Sequence, residues 1–166
     1  MAMVLLLATA LALVGFVFTS VQGFAVTAGP LVTRHVGYAI PTVLFSLFSQ
    51  SMVIFFFIGT GKMIKEQTAG LPEAERGPIL AALRRFKMQT SPPATFALTA
   101  AIAVFVLGGA AHTRALPPWV HLAGALAAVG THLWAFLAEW RAFAENNRLM
   151  DDPRAYARSL NSERPS

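Results

Sequence analysis

The chain of 166 residues contains no cysteine. That excludes disulfides, thiolate metal sites, iron–sulfur clusters and covalent thiol chemistry together. Charge is scarce as well: Asp, Glu, Lys and Arg make up 13% of the residues, against about a quarter in an ordinary soluble domain. No nucleophile constellation for hydrolysis is present. The one fragment resembling a phosphate loop, Gly59-Thr60-Gly61-Lys62, closes an apolar run, lacks a preceding strand and has the wrong spacing. It reads as a flexible helix end with a snorkelling lysine, so transferase and ATPase chemistry are disfavoured. There is no internal repeat and no low-complexity tract.

What is abundant is apolar: 55% of the residues are hydrophobic and the mean hydropathy is +0.57. A hydrocarbon core of about 30 Å takes roughly 20 helical residues to cross. Four stretches meet that need, approximately 2–23, 36–64, 93–111 and 118–143. The first has the alternative reading of a signal peptide, because Val26-Thr27-Ala28 ends it with small residues. It lacks a positive n-region, however, and its apolar run from Met3 to Val21 exceeds an h-region of about 7 to 15 residues. We therefore take it as the first helix of an all-α integral membrane protein with four antiparallel transmembrane helices in a bundle.

Basic residues near helix ends are retained on the cytoplasmic side. Lys62, Lys65, Arg76, Arg84, Arg85 and Lys87 fall between helices two and three, and Arg141, Arg148, Arg154, Arg158 and Arg164 follow helix four. Only Arg34 and Arg114 fall on the other side. Both termini are thus expected in the cytoplasm, the localisation being the cytoplasmic (inner) membrane. All 8 acidic residues lie with the cytoplasmic group, so the net charge of +5 is an asymmetry of topology. It points to a lipid bilayer, including anionic lipid, and not to nucleic acid.

The first outer connection, 24–34, is short and carries the turn signal Gly29-Pro30. The inner connection is the longest. Leu71-Pro72-Glu73 opens one helical piece, Gly77-Pro78 interrupts it, and a second runs through Ile79, Leu80, Leu83 and Phe86. With Arg84, Arg85 and Lys87 this suggests a short amphipathic cytoplasmic helix on the membrane surface; an ordinary connector is the alternative. Ser91-Pro92-Pro93 and Leu116-Pro117-Pro118 mark the starts of helices three and four. The organisation expected is a transmembrane domain over 1–146 and a polar cytoplasmic tail over 147–166. The Asn146-Asn147 pair reads as a solvated face.

At about 100° per residue, His35, Tyr38, Thr42, Ser46 and Ser49 share one stripe of helix two. His121, His132 and Glu139 share a face of helix four with Gly124, Ala125, Ala128 and Ala135, while Trp134 and Leu137 point elsewhere. Helix one carries Ala8, Ala12, Gly15 and Thr19, and helix three Thr95, Thr99, Ala103 and Ala110. Small residues at this spacing allow close helix approach in lipid.

Histidine carries the candidate chemistry. His35, His112 and His121 gather near the outer surface. His132 lies 11 residues beyond His121, roughly 16 Å deeper at 1.5 Å per residue, at about the depth of Ser49. A b-type haem needs a histidine on a helix, small residues to admit the macrocycle and a second axial ligand at matching depth. His121 and His35 meet the depth condition, Arg34 and Arg114 are available to propionates, and Gly124, Ala125 and Ala128 supply room. His132 would ligate a second cofactor, with Met52 near in depth, or line a pocket. A second reading is a copper or zinc site built from His35, His112 and His121, with His132 a further metal-ligating candidate. A third is a path or pocket for a quinone or proton, with His132 and Glu139 titratable; Glu139 is nevertheless expected to pair with Arg141 or Lys62. The bland alternative is a non-catalytic subunit of a larger membrane complex or homo-oligomer, its polar groups bonding between helices without a cofactor.

A small four-helix protein with histidines on interior faces is similar to the cytochrome-b-type anchors of quinone-linked respiratory enzymes. The resemblance is architectural, and it departs from the di-haem forms because helix two has the single histidine His35. It implies haem b and electron transfer within a membrane redox complex.

Overall fold

The computed structural model describes residues 1–26 and 29–162; Thr27 and Ala28 of the possible cleavage site, and Arg164 of the tail, lie outside them. The described chain forms the helices α1 (Ala2–Phe24), α2 (Pro30–Gln67), α3 (Glu73–His112), α4 (Pro118–Asp151) and α5 (Pro153–Ser162). The first four are long and apolar enough to cross a membrane. α2 and α3 have 38 and 40 residues, roughly 57 and 60 Å at the helical rise. Each therefore carries a segment well beyond a span of about 30 Å.

Local sequence sets the helix starts. Gly29, at a φ of 58°, makes the turn that lets Pro30 occupy the first position of α2. Pro117 is extended ahead of Pro118 in the same way. Asp152 caps α5: its Oδ1 accepts from the backbone N–H groups of Arg154 and Ala155 at 3.0 and 2.9 Å. α4 runs to Asp151, into the segment read as a polar tail, and is followed by this capped element.

The short amphipathic helix between helices two and three is not a separate element, because 73–112 is one continuous helix through Pro78, Pro92 and Pro93. A proline in a helix frees the carbonyl four residues earlier. Here those carbonyls belong to Ala74, Met88 and Gln89, all exposed. The apolar face meant for a membrane surface is packed into protein: Ile79, Leu83 and Phe86 lie against Ile64 of α2, Leu149 of α4 and Ala157 of α5.

The helices α1 to α4 pack in a closed ring, α1 on α2, α2 on α3, α3 on α4 and α4 on α1. Leu5 packs with Val53, Phe56 and Phe143 in one layer. Phe16 packs with Val43, Ala101, Val104 and Ala128 in another, nearer the starts of α2 and α4. Close approach is visible at Gly15, where an added Cβ would lie 2.9 Å from Thr42 Cγ2, and at Gly124, where it would lie 2.7 Å from Leu107 Cδ1. On helix three the expected series lies on the face roughly opposite the buried one. Thr95, Thr99 and Ala103 are exposed, and Ala94, Ala97, Ala101 and Val104 are buried. The two threonines need no interior partner, since each hydroxyl donates to the carbonyl four residues back, Ser91 at 2.8 Å and Thr95 at 2.9 Å.

The distribution of polarity is the reverse of a soluble bundle. Thr9, Ser46, Gln50, His132, Glu139 and Asn146 are buried, while Leu7, Phe48, Phe55, Phe105, Leu126 and Trp140 are exposed. Soluble proteins seldom bury so many polar side chains or expose so continuous an apolar surface.

Candidate functional site: a histidine pair and a buried polar layer

At the end of the ring where α2 and α4 begin, His35 and His121 face each other across the bundle. Their ring centroids are 6.2 Å apart and their planes nearly perpendicular, at 79°. Both Nδ1 atoms are buried and, among the described residues, have no hydrogen-bond partner. Glycines on the other two helices adjoin the rings, closely only at Gly108. A Cβ on Gly108 of α3 would meet His121 Cε1 at 3.0 Å, and one on Gly23 of α1 would meet His35 Cε1 at 3.6 Å. The separation is of the order two imidazoles would have if each bound one shared ion at about 2.0 Å, so His35 and His121 are the residues that could hold such a group together. The room expected for the macrocycle at Gly124, Ala125 and Ala128 is already taken: Leu107 covers Gly124, and Phe16, Val43 and Val104 close over Ala128. Any fit is therefore confined to the level of the pair itself, beside Gly23 and Gly108.

His112 does not join this pair. It ends α3 with an exposed side chain, and among the described residues no three His, Asp or Glu side chains converge to hold a metal ion. The three-histidine copper or zinc site is thus not assembled, because α3 ends on the solvent side of the pair. Arg34 and Arg114 are exposed at the same end, Arg114 at a φ of 61° in the turn after α3, and neither makes an ion pair among the described residues.

His132 has no nitrogen left for a metal. Its Nδ1 lies 2.7 Å from the Ala128 carbonyl, which only accepts, so Nδ1 carries the hydrogen. In the neutral ring, Nε2 then accepts from the Ser46 hydroxyl at 2.6 Å. Phe16 packs on the ring at 4.2 Å between centroids. In this arrangement both ring nitrogens of His132 are bonded within the protein, and neither faces Met52 as a free ligand. The neighbour at its depth is Ser46, with Ser49 one turn further along donating to the Ser46 carbonyl at 3.1 Å.

Two turns beyond His132 on α4 lies Glu139, fully buried at 0% exposure. The expected pairing with Arg141 or Lys62 is absent: Arg141 is exposed, and Lys62 is 3.9 Å from Glu66 instead. The inward face of α4 carries the carboxyl away from both cations. Thr9 of α1 and Gln50 of α2 adjoin it, yet neither completes a well-formed hydrogen bond, and Thr9 Oγ1 donates to the Leu6 carbonyl at 3.1 Å. Both Glu139 oxygens and Gln50 Oε1 are buried and unpartnered among the described residues. Asn146, read from sequence as solvated, is buried, and its amide donates to Met150 Sδ at 3.3 Å.

Thr9 and Gln50 are not singled out by the sequence pattern. The legible signal was Gln50: it lies 15 residues from His35, about 60° round the helix, at the edge of the polar stripe.

No family model, curated protein or solved structure matches this chain.

Proposed function

We propose that the protein is an integral membrane b-type haem protein acting in electron transfer, its four spanning helices antiparallel and both termini cytoplasmic in the inner membrane. The observation that carries the reading is the His35–His121 pair, 6.2 Å apart across the bundle with both Nδ1 atoms unpartnered. The pairing of Leu5 with Val53 and of Phe16 with Val43 supports opposite directions for α1 and α2. The apolar exterior supports insertion, and the bias of Lys and Arg toward one end supports the orientation.

When bound at this pair, haem supplies one-electron transfer. His35 and His121 would hold it through their imidazole nitrogens. Gly23 and Gly108 leave the rings room to stand between the helices. The Phe16, Val43 and Val104 layer seals the site from the rest of the interior. Arg34 and Arg114, exposed at the same end, would be the counter-charges for propionates. Electrons must enter and leave through a quinone or another subunit, which makes this chain part of a larger membrane complex or homo-oligomer.

The test is an ultraviolet–visible spectrum of detergent-purified protein produced with haem supplied, oxidised and then dithionite-reduced. We expect a Soret band with sharp reduced α and β bands, lost in His35→Ala and in His121→Ala and kept in His112→Ala and His132→Ala. A featureless spectrum, or bands that survive both of the first two substitutions, rejects the reading.

A further inference from the structure

Among the described residues, the buried side-chain atoms without a partner outside the histidine pair include a carboxyl, that of Glu139, whose two oxygens both lack one. Both Glu139 oxygens are buried without a well-formed hydrogen bond, the Thr9 and Gln50 side chains adjoin the carboxyl, and Gln50 Oε1 is likewise unpartnered. An ionised carboxylate removed from water without a counter-charge is among the least favourable arrangements in a protein. A donor or a cation must complete the cluster. Among the described residues no side chain supplies the charge. α1 contains no charged residue, and neither do 36–61 of α2 nor 88–111 of α3. On α4 the ionisable neighbours are His132, bonded to Ser46 and Ala128, and Arg141 and Glu145. Arg141 is exposed, and Glu145 is engaged with Arg85 and Tyr156.

We infer that Glu139, with Gln50 and Thr9, is a proton-binding site within the span, the carboxyl holding a proton that it shares with the Gln50 carbonyl. A proton resolves the geometry with one bond. Formation of O–H on one carboxyl oxygen neutralises the charge and turns that acceptor into a donor toward Gln50 Oε1. The second carboxyl oxygen is then an acceptor within reach of the Thr9 hydroxyl, which at present donates to its own helix. The proton comes from water and returns to it; no other reactant is required.

The location makes this an occluded site and not an open channel. Val53, Phe56 and Phe143 close it on one side, and Phe16, Val43 and Val104 lie on the other, beyond His132. Exchange requires the helices to part. Thr9, Gln50 and Glu139 come from three different helices, so a movement of α1 or α2 against α4 changes the proton's environment directly. The inference stands on the cluster alone and does not need a cofactor at the histidine pair.

The experiment is infrared spectroscopy of the purified full chain in detergent at neutral pH, which detects the C=O stretch of a protonated carboxylic acid separately from carboxylate and amide bands. We expect such a band in the wild type, absent in Glu139→Gln, unchanged in Glu145→Gln, and moved to higher frequency in Gln50→Leu, where the acid loses its acceptor. Transfer to heavy water should shift the band slowly. Absence of any band sensitive to Glu139→Gln overturns the proposal, and carboxylate bands of Glu139 that respond to added sodium would assign the cluster to a metal cation instead. Because the readout needs no chromophore, failure here is distinguishable from failure of the haem reading.

Discussion

Ser46 on α2 and His132 on α4 are joined across the bundle at 2.6 Å, and the bond fixes the imidazole's tautomer because the other ring nitrogen donates to the Ala128 carbonyl at 2.7 Å. The two helices are diagonal in the ring, so this contact crosses the interior where neither has extensive contact with the other. On α4 it lies between His121 and Glu139.

Ser46→Ala removes the hydroxyl and leaves Nε2 buried without a donor. An unsatisfied buried polar group costs about 1–3 kcal/mol, while interhelical hydrogen bonds in membranes average only about 0.6 kcal/mol. The expected loss is therefore about 1 kcal/mol, read as a lowered midpoint of thermal unfolding in detergent. The visible spectrum should not change, because this contact is on a different level from His35 and His121. A variant as stable as wild type would mean the bond is not formed.

Gly108→Ala and Gly109→Ala separate a local effect on the histidine pair from a general effect on α3. A Cβ at Gly108 would sit 3.0 Å from His121 Cε1, whereas at Gly109 it meets nothing within 4 Å. Adding the same methyl group one residue apart should weaken haem retention and alter the reduced bands only in the first variant. Titration of the purified apoprotein with haemin, followed at the Soret band, gives the comparison; equal affinity in both variants would remove His121 from the ligand set.

The faces of α4 could be read directly from sequence, since His121, Ala128, His132, Ala135 and Glu139 recur at helical spacing and all turn inward, while Trp134 and Leu137 turn out. The faces of α3 could not, because Thr95 and Thr99 are polar in composition but satisfied by their own backbone, which frees them to face outward. Pairing was harder still. Glu139 has Arg141 near in sequence, yet the helix directs the two side chains to opposite surroundings, and charge proximity along the chain says nothing about that. The α3 connector was misread for a different reason. Its prolines signal a break, and tertiary packing against Ile64 and Leu149 overrides the signal.

Gly15→Ala should destabilise the bundle more than Gly124→Ala, although the added Cβ comes closer to its neighbour in the second case, 2.7 Å against 2.9 Å. At Gly124 the neighbour is the end of the Leu107 side chain, which has rotamers to move into. At Gly15 it is Thr42, whose β-branched side chain is stiff, is hydrogen-bonded to the Tyr38 carbonyl at 2.8 Å, and presents its own Cβ at 3.5 Å. Overpacking of this kind costs about 1–3 kcal/mol. Thermal unfolding of the two variants under identical detergent conditions measures the difference, and an equal or smaller loss for Gly15→Ala would show that α1 and α2 do not approach as closely as described.

The docking of α5 offers a test of which interactions hold the element outside the span. Arg85 is bonded to Glu145 and lies 3.1 Å from the Tyr156 hydroxyl, while Arg154 is 3.6 Å from Glu75. All four charged partners are substantially exposed, and exposed ion pairs contribute only about 0–1 kcal/mol. Ala157, by contrast, is buried against Ile64, Ile79 and Leu149. Arg85→Ala should therefore leave α5 docked, and Ala157→Asp should release it by placing a carboxylate among aliphatic side chains. Limited trypsin digestion reads the outcome at Arg154 and Arg158: slow cleavage in wild type and Arg85→Ala, rapid cleavage in Ala157→Asp. Rapid cleavage in Arg85→Ala would instead show that the ion pair, not the apolar contact, holds α5 in place.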